Sequence, residues 1–113
     1  SEMSLDVYLY ATDLDGNEIE VYEANITHNL GKMAKEAGIY MPLWRPDEIG
    51  CTHAGDIADM LTDGLKDLKA RPLHYEQFNA SNGWGMYEHF VPFVEKYLAA
   101  CHQYPSAKIV ISR

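Results

Sequence analysis

Near the N-terminus, apolar and polar residues alternate along the chain. Apolar side chains stand at every second position from Leu5 to Ala11, with aspartate or tyrosine between them. This period of two is typical of a β-strand that buries one face. Residues 13–17 then combine Asp, Gly and Asn, which favour tight turns, and residues 19–22 resume an extended pattern. The pattern predicts an N-terminal β-hairpin.

Farther along the chain, apolar residues recur at helical spacing in three segments. The first, residues 27–38, begins at a Thr that can cap a helix and ends at a Gly that can stop one. The second, residues 52–72, has one apolar face and one face rich in aspartate. The third is expected at residues 92–102, because proline is tolerated in the first turn of a helix and not in its interior. Irregular structure is expected at residues 39–45, and short helical turns at residues 46–48 and 73–78.

The C-terminal run 108–112 is rich in β-branched residues and predicts a strand that pairs with the first strand. An isolated hairpin is not stable alone, so the strands are expected to form one sheet covered by helices. The predicted fold class is therefore α+β: a small antiparallel sheet of about three strands (the N-terminal β-hairpin plus the C-terminal strand) with about three to four helices packed on one face. Residues 1–113 are expected to form a single domain, with residues 1 and 2 left over from an expression vector.

The charge of the chain is distributed unevenly. The net charge is −8, and residues 1–31 contain seven acids and no lysine or arginine. The rest of the chain is nearly neutral, with ten acids and nine bases. Because a nucleic-acid binder needs a basic stripe to contact phosphates, this distribution argues against DNA or RNA as a partner. The acidic first third either forms a solvated surface or faces a basic protein surface.

The common motifs of catalysis and metal binding are absent from the sequence. There is no Gly-rich phosphate loop, no Gly-x-Ser-x-Gly elbow, no His-Glu-x-x-His and no Cys-x-x-Cys. Cys51 and Cys101 are too few for a disulfide framework, and their spacing to His53 and His102 matches no zinc site. No catalytic residue, metal site or cofactor is predicted. Since the sequence has neither a signal-peptide pattern nor about 18 consecutive apolar residues, the protein is expected in the cytoplasm, without membrane contact.

A first polar cluster surrounds the start of the first predicted helix. It contains Asn25, Thr27, His28, Asn29 and Lys32. Unpaired backbone N–H groups and the helix dipole favour an anion at such a terminus, and Lys32 adds a positive charge. The cluster therefore predicts a seat for a phosphate or carboxylate. The alternative is an ordinary helix cap with exposed polar neighbours.

A second cluster lies in the loop at residues 79–85, where Trp84 stands between two glycines. Glycines allow a backbone to approach a ligand, and an indole can stack on a planar ring, with Asn82 nearby as a hydrogen-bonding group. Trp44 and Arg45 offer another aromatic face and a cation that can pair with an anion. For both tryptophans the alternative is a side chain folded into the core.

Several segments of the chain resemble a family of short proteins found in phage and prophage genomes. The resemblance runs through nearly the whole chain and is carried by Ser-Leu-Asp-Val-Tyr-Leu at residues 4–9, residues 25–34, Leu-Trp-Arg-Pro at residues 43–46 and Asn-Gly-Trp-Gly at residues 82–85. It implies an accessory role in the cytosol of a phage host, such as trapping a nucleotide signal of host defence or binding a defence protein. The family brings no established activity, so no site residue is carried over from it.

Three functional hypotheses follow from the two clusters and this resemblance. The leading one is a protein that binds an anionic, ring-containing, nucleotide-like small molecule and sequesters a host immune signal. The alternative is an acidic inhibitor that docks on a host defence protein, and the third is a small enzyme with His28 or His53 as general acid or base. The oligomeric state is left open. The expected ligand-binding residues are Asn25, Thr27, His28, Asn29, Lys32, Trp44, Arg45, Asn82 and Trp84.

Overall fold

A computed structural model describes residues 4–113 of the chain, so the expectation for residues 1 and 2 lies outside the described part. The sheet has three antiparallel strands, with β1 (Ser4–Thr12) in the centre, β2 (Glu18–Thr27) on one side and β3 (Lys108–Ser112) on the other. β1 and β2 form the predicted hairpin, and β3 pairs with β1 as expected. The predicted α+β class is confirmed.

The turn of the hairpin is held by the side chain of Asp13. Its Oδ1 accepts hydrogen bonds from the backbone N–H groups of Asp15 and Asn17 at 2.9 and 2.8 Å. Gly16 has a φ of +84°, a conformation that residues with a Cβ rarely adopt. The turn chemistry anticipated from the sequence therefore closes the hairpin.

Most of the remaining chain between β2 and β3 is helical. The α-helices are α1 (Gly31–Glu36), α2 (Tyr40–Trp44), α3 (Ala54–Ala70), α4 (Pro72–Glu76) and α5 (Tyr87–Gln103). Two 3₁₀ helices, His28–Leu30 and Pro46–Ile49, precede α1 and α3 respectively. The two long helices, α3 and α5, pack against each other, and α5 also packs against β2.

Two of these helices differ from the predictions. The segment predicted to be irregular contains α2, because its Leu43 packs into the core from a helical turn. α5 begins at Tyr87, so Pro92 lies inside it instead of starting it. The apolar face of α5 continues on both sides of the proline, with Phe90 and Val94 fully buried. Burial of this face offsets the lost backbone hydrogen bond, since a proline in a helix interior costs about 3 kcal/mol.

The core lies between one side of the sheet and the helices. Leu5, Val7 and Leu9 of β1 point to this side and are fully buried. Gly64 of α3 allows close contact with the chain before α2, because a Cβ at this position would lie 2.3 Å from Cγ2 of Ile39. Within residues 4–113, no helix is both long and apolar enough to span a membrane.

Candidate ligand-binding site

The loop between α4 and α5 holds Trp84 on the surface of the protein. The Trp84 side chain is exposed, with a relative accessibility of 71% for the residue. The loop is closed by a backbone hydrogen bond from Ala80 N to Gly85 O at 3.0 Å, and Trp84 N donates to Asn82 Oδ1 at 2.9 Å. Gly83 and Gly85 both adopt positive φ. Trp84 is therefore a surface platform and not a plug in the core.

Asn29 ties this loop to the segment that follows β2. Its Nδ2 donates to Trp84 O at 2.8 Å, and its backbone N–H donates to Thr27 Oγ1 at 3.2 Å. At Gly85 an added Cβ would lie 2.8 Å from the Cβ of Asn29, so the close approach of the two segments requires a glycine. The two polar clusters identified in the sequence, around Thr27 and around Trp84, therefore meet in space.

A cleft of about 890 Å³, which we call the aromatic cleft, lies where the two segments meet. Six of the expected ligand-binding residues line it: Asn25, Thr27, His28, Asn29, Asn82 and Trp84. Ile26, Leu30 and His89 also line it. Its volume is in the range of small-molecule sites, and its wall combines an indole, aliphatic side chains and amide groups. This combination suits a planar ring with polar edges.

A second cleft, which we call the cationic cleft, shares His28 with the first and measures about 620 Å³. The other expected residues, Lys32, Trp44 and Arg45, line this cleft. Sequence reasoning missed two further cations in its lining, Lys35 and Arg113. Four of the nine lysines and arginines of the chain are thus gathered around one cleft, with no Asp or Glu among its lining residues. In a protein of net charge −8, this local excess of positive charge favours an anion.

The two arginines of the cationic cleft are partly neutralised by neighbouring acids. Arg45 Nη1 lies 2.7 Å from Glu48 Oε2, and this contact is the main cause that raises the pKa of Arg45. Arg113 lies 3.6 Å from the same carboxylate oxygen and 3.9 Å from Asp47 Oδ1. These pairs orient the two guanidinium groups and reduce the positive charge that they offer to a ligand.

The two lysines of the cationic cleft, Lys32 and Lys35, are both exposed. Lys35 Nζ lies over the ring of Tyr40, 4.6 Å from its centroid. Lys32 forms no ion pair with any of residues 4–113. The lysines are therefore the stronger candidates for contact with a ligand anion.

His28 lies between the clefts and is oriented by Trp44. Trp44 Nε1 donates a hydrogen bond to His28 Nδ1 at 2.9 Å. Because the indole nitrogen can only donate, Nδ1 must be unprotonated, which places the proton of the neutral imidazole on Nε2. Trp44 itself is only 2% exposed and stacks on Tyr40, with 5.1 Å between the ring centroids. Trp44 thus leaves almost no surface for the ring of a ligand, and its effect on a ligand passes through His28.

The anion-binding site predicted at a helix N-terminus differs in the structure, because no long helix begins at Thr27. The chain after Thr27 makes a short 3₁₀ helix, and α1 has only six residues. One of the first N–H groups, that of Asn29, is already used by the Thr27 side chain. Asn25 is also engaged, because its Nδ2 donates to Ser4 Oγ at 2.9 Å and to Asp6 Oδ1. The positive charge of the site therefore comes from the side chains of Lys32 and Lys35 and not from a long helix dipole.

His53 and the two cysteines, which the sequence offers as possible chemical groups, lie outside both clefts. His53 is the N-cap residue of α3, and its Nδ1 lies 2.8 Å from Thr52 Oγ1. Cys51 and Cys101 are both free thiols, and burial raises the pKa of Cys101 to about 12. Within residues 4–113, no three His, Cys, Asp or Glu side chains are grouped closely enough to hold a metal ion.

No protein-family model, curated protein or solved structure matches this chain.

Proposed function

We propose that this protein binds an anionic, ring-containing small molecule of the nucleotide type across the two clefts. The observation that carries the proposal is that the aromatic and cationic clefts adjoin at His28. A ligand whose ring lies on Trp84 and whose anionic group lies near Lys32 would fill both. One connected site then accounts for a surface indole and a cluster of cations in an otherwise acidic protein.

The aromatic cleft supplies the contacts that a planar ring requires. Stacking of a nucleobase on an aromatic side chain contributes about 1–3 kcal/mol, and the backbone of Trp84 is held by its own loop and by Asn29 before any ligand binds. Because the loop backbone is ordered in advance, less conformational entropy is lost on binding. Asn82 and His89 provide polar groups beside the ring.

The cationic cleft supplies positive charge in a protein that is otherwise acidic. Acidic residues dominate the first third of the chain and repel an approaching anion. Lys32 and Lys35 form a local exception, and an ammonium group pairs well with a phosphate. The ligand is therefore expected to enter with its anionic end directed toward α1.

Binding without turnover would be sufficient for the biological role implied by the phage resemblance. A protein that traps a nucleotide signal lowers its free concentration in proportion to the amount of protein and needs no catalytic group. We therefore extend the proposal to sequestration of a host nucleotide signal.

The proposal is tested by native mass spectrometry of freshly purified protein, followed by calorimetric titration with the common ribonucleoside 5′-monophosphates and triphosphates. We expect at least one nucleotide to bind with one molecule per chain. The matching nucleoside and inorganic phosphate should each bind more weakly, because each fills only one cleft. A purified protein that carries no small molecule and binds none of these nucleotides would contradict the proposal.

A second candidate function is hydrolysis, because two histidines, His28 and His89, line the aromatic cleft. Such a pair can supply the general base that activates a water molecule and the general acid that protonates the leaving group when a phosphomonoester or phosphoanhydride bond of a nucleotide is hydrolysed. The same titrations decide between the two functions when the recovered nucleotide is analysed for products. In an enzyme, His89→Ala should lower turnover by a factor of about 100 or more, whereas a pure binder should return the nucleotide intact and tolerate the change with a modest loss of affinity.

A further inference from the structure

The side of the sheet that faces away from the core carries an ordered set of tyrosines and acids. Side chains alternate along β1, so that Leu5, Val7 and Leu9 are buried while the residues between them are partly exposed. The residues opposite these in the neighbouring strands share the same side of the sheet. We call this surface the open face; its charged, aromatic and aliphatic members are Asp6, Tyr8, Tyr10, Glu18, Glu20, Glu23, Lys108 and Val110, and the polar residues Thr12, Asn25 and Ser112 share it.

A β-bulge in β2 gives the open face its acidic character. Leu9 lies opposite Tyr22 while Tyr10 lies opposite Glu20, so Val21 is an extra residue in the strand. The bulge turns both Glu20 and Glu23 to the open face, although they are three positions apart. It also turns Tyr22 inward, where its ring stacks on that of Tyr97 with 5.8 Å between centroids. The bulge therefore places Tyr22 against the core and both glutamates on the open face.

The acids of the open face surround two tyrosine rings. Tyr8 lies opposite Glu23 and Tyr10 lies opposite Glu20, and the two rings are 6.4 Å apart. Tyr10 Oη donates to Glu20 Oε1 at 3.4 Å. Partial burial, followed by the nearby charges of Asp6, Glu23 and Glu20, raises the pKa of Tyr8. The tyrosines thus stay neutral within a patch of negative potential.

The apolar and charged parts of the open face are contiguous. Val110, with a relative accessibility of 37%, lies opposite Tyr8 on the β3 side. The acids number four, Asp6, Glu18, Glu20 and Glu23, against one base, Lys108, which lies 3.8 Å from Glu18. The face as a whole therefore carries net negative charge around an aromatic and aliphatic centre.

We propose that the open face is a docking surface for an arginine-rich segment of another protein. Carboxylates pair with guanidinium groups, and tyrosine rings attract the same groups through cation–π contact. Charge complementarity favours this occupant over nucleic acid, and over a second copy of the same acidic face, because both of these would be repelled. None of the charged, aromatic or aliphatic members of the open face lines either cleft, although the aromatic cleft adjoins this face at Asn25, so the inference does not depend on the proposed ligand.

Nona-arginine labelled with a fluorophore is a direct probe of this surface, with binding followed by fluorescence anisotropy. The test variant combines Glu20→Gln and Glu23→Gln on the open face. The matched control combines Asp59→Asn and Asp63→Asn on the exposed side of α3, which changes the net charge by the same amount. All four substitutions replace an acid by its amide of nearly equal shape, so the fold should be retained.

We expect the open-face variant to bind the peptide about fivefold more weakly or worse, because it loses two charge-assisted contacts, and the control to change by less than about twofold. Equal weakening of the two variants would overturn the proposal, because it would mean that net charge alone drives binding. Lack of binding by the wild type would overturn it too. As a measurement that needs no variant, amide NMR shifts on adding the peptide should concentrate in β1 and in Glu20 and Glu23 of β2; shifts confined to the helices would contradict the assignment.

Discussion

At the residue scale, the two tryptophans have opposite roles although they share the same side chain. Trp84 projects from a loop that is closed by its own hydrogen bonds and by Asn29. Trp44 is buried, stacked on Tyr40, and donates to His28. The first can contact a ligand directly, and the second holds the imidazole that lies between the two clefts.

Alanine substitution should separate these roles by their effect on folding. Trp44→Ala should lower the free energy of unfolding by about 3–5 kcal/mol, because it leaves a cavity in the core. Trp84→Ala should change it by less than about 0.5 kcal/mol, since an exposed side chain contributes little to stability. Urea denaturation of both variants checks this, and a large loss of stability in Trp84→Ala would mean that the indole packs against the fold.

The position of the Trp84 loop should depend on Gly85 more than on Gly83. Both have positive φ, but only a Cβ at Gly85 would collide with Asn29, and nothing lies within 4 Å of a Cβ at Gly83. Gly85→Ala should therefore displace the loop and weaken nucleotide binding by about tenfold or more, whereas Gly83→Ala should cost mainly the local backbone strain of about 1–2 kcal/mol. Calorimetric titration of both variants provides the comparison, and equal affinities would refute the role of the Asn29 contact.

The sequence could not distinguish the two tryptophans because burial depends on what packs against a side chain. The glycines beside Trp84 correctly indicated a loop. Nothing local indicated that Tyr40 would cover Trp44, because that contact follows from the helical turn of α2. The hydrogen bond between Trp44 and His28 likewise joins residues 16 positions apart and has no local signature.

At the element scale, the junction of α3 and α4 is held by one carboxylate. Asp67 accepts two hydrogen bonds from Arg71, at 3.0 Å and 2.6 Å, and a third from the hydroxyl of Tyr75. These contacts, that of Arg71 first, lower the pKa of Asp67 from 3.8 to about 2. The guanidinium of Arg71 also lies over the Tyr75 ring, 5.4 Å from its centroid. The three side chains fix the turn between the helices.

This junction should give the protein an acid-sensitive contribution to stability. A carboxyl whose pKa is lowered by folding stabilises the native state above its unfolded pKa of about 4 and loses that contribution as the pH falls toward about 2. Asp67→Asn should therefore be less stable than the wild type at pH 7, and the difference should shrink below about pH 4. Urea denaturation between pH 7 and pH 3 measures it; a difference that is independent of pH would contradict the assignment.

The elements that local sequence determines were predicted best. The hairpin follows from an alternating strand and turn residues, and α3 follows from a clear apolar face. The start of α5 was missed because proline usually ends a helix, whereas here the buried face on both sides of Pro92 outweighs that preference. Such a balance between propensity and packing is decided by tertiary contacts and cannot be obtained from one segment alone.

At the scale of the whole molecule, charge is separated over the surface. The acids of the first third gather on the hairpin, whereas four cations gather around the cleft beside α1. Lys35 could have been anticipated, because it lies three positions after Lys32 on the same predicted helix. Arg113 could not, since it reaches the cleft only through the pairing of β3 with β1. The site therefore depends on the topology of the fold, which brings Arg113 to the cleft, as well as on residues that are close together in the sequence.

If one ligand contacts both clefts, a single nucleotide should bind with different affinities to four proteins. These are the wild type, Trp84→Ala, Lys32→Ala and a control, Lys66→Ala, whose lysine is exposed on α3 away from both clefts. Loss of a stacking contact or of a charge-assisted contact, each about 1–3 kcal/mol, should weaken binding by about 5- to 150-fold in Trp84→Ala and in Lys32→Ala. The control should change by less than about twofold. Equal affinity of all four proteins, or an effect of Lys66→Ala as large as that of Lys32→Ala, would contradict a ligand that spans the aromatic and cationic clefts.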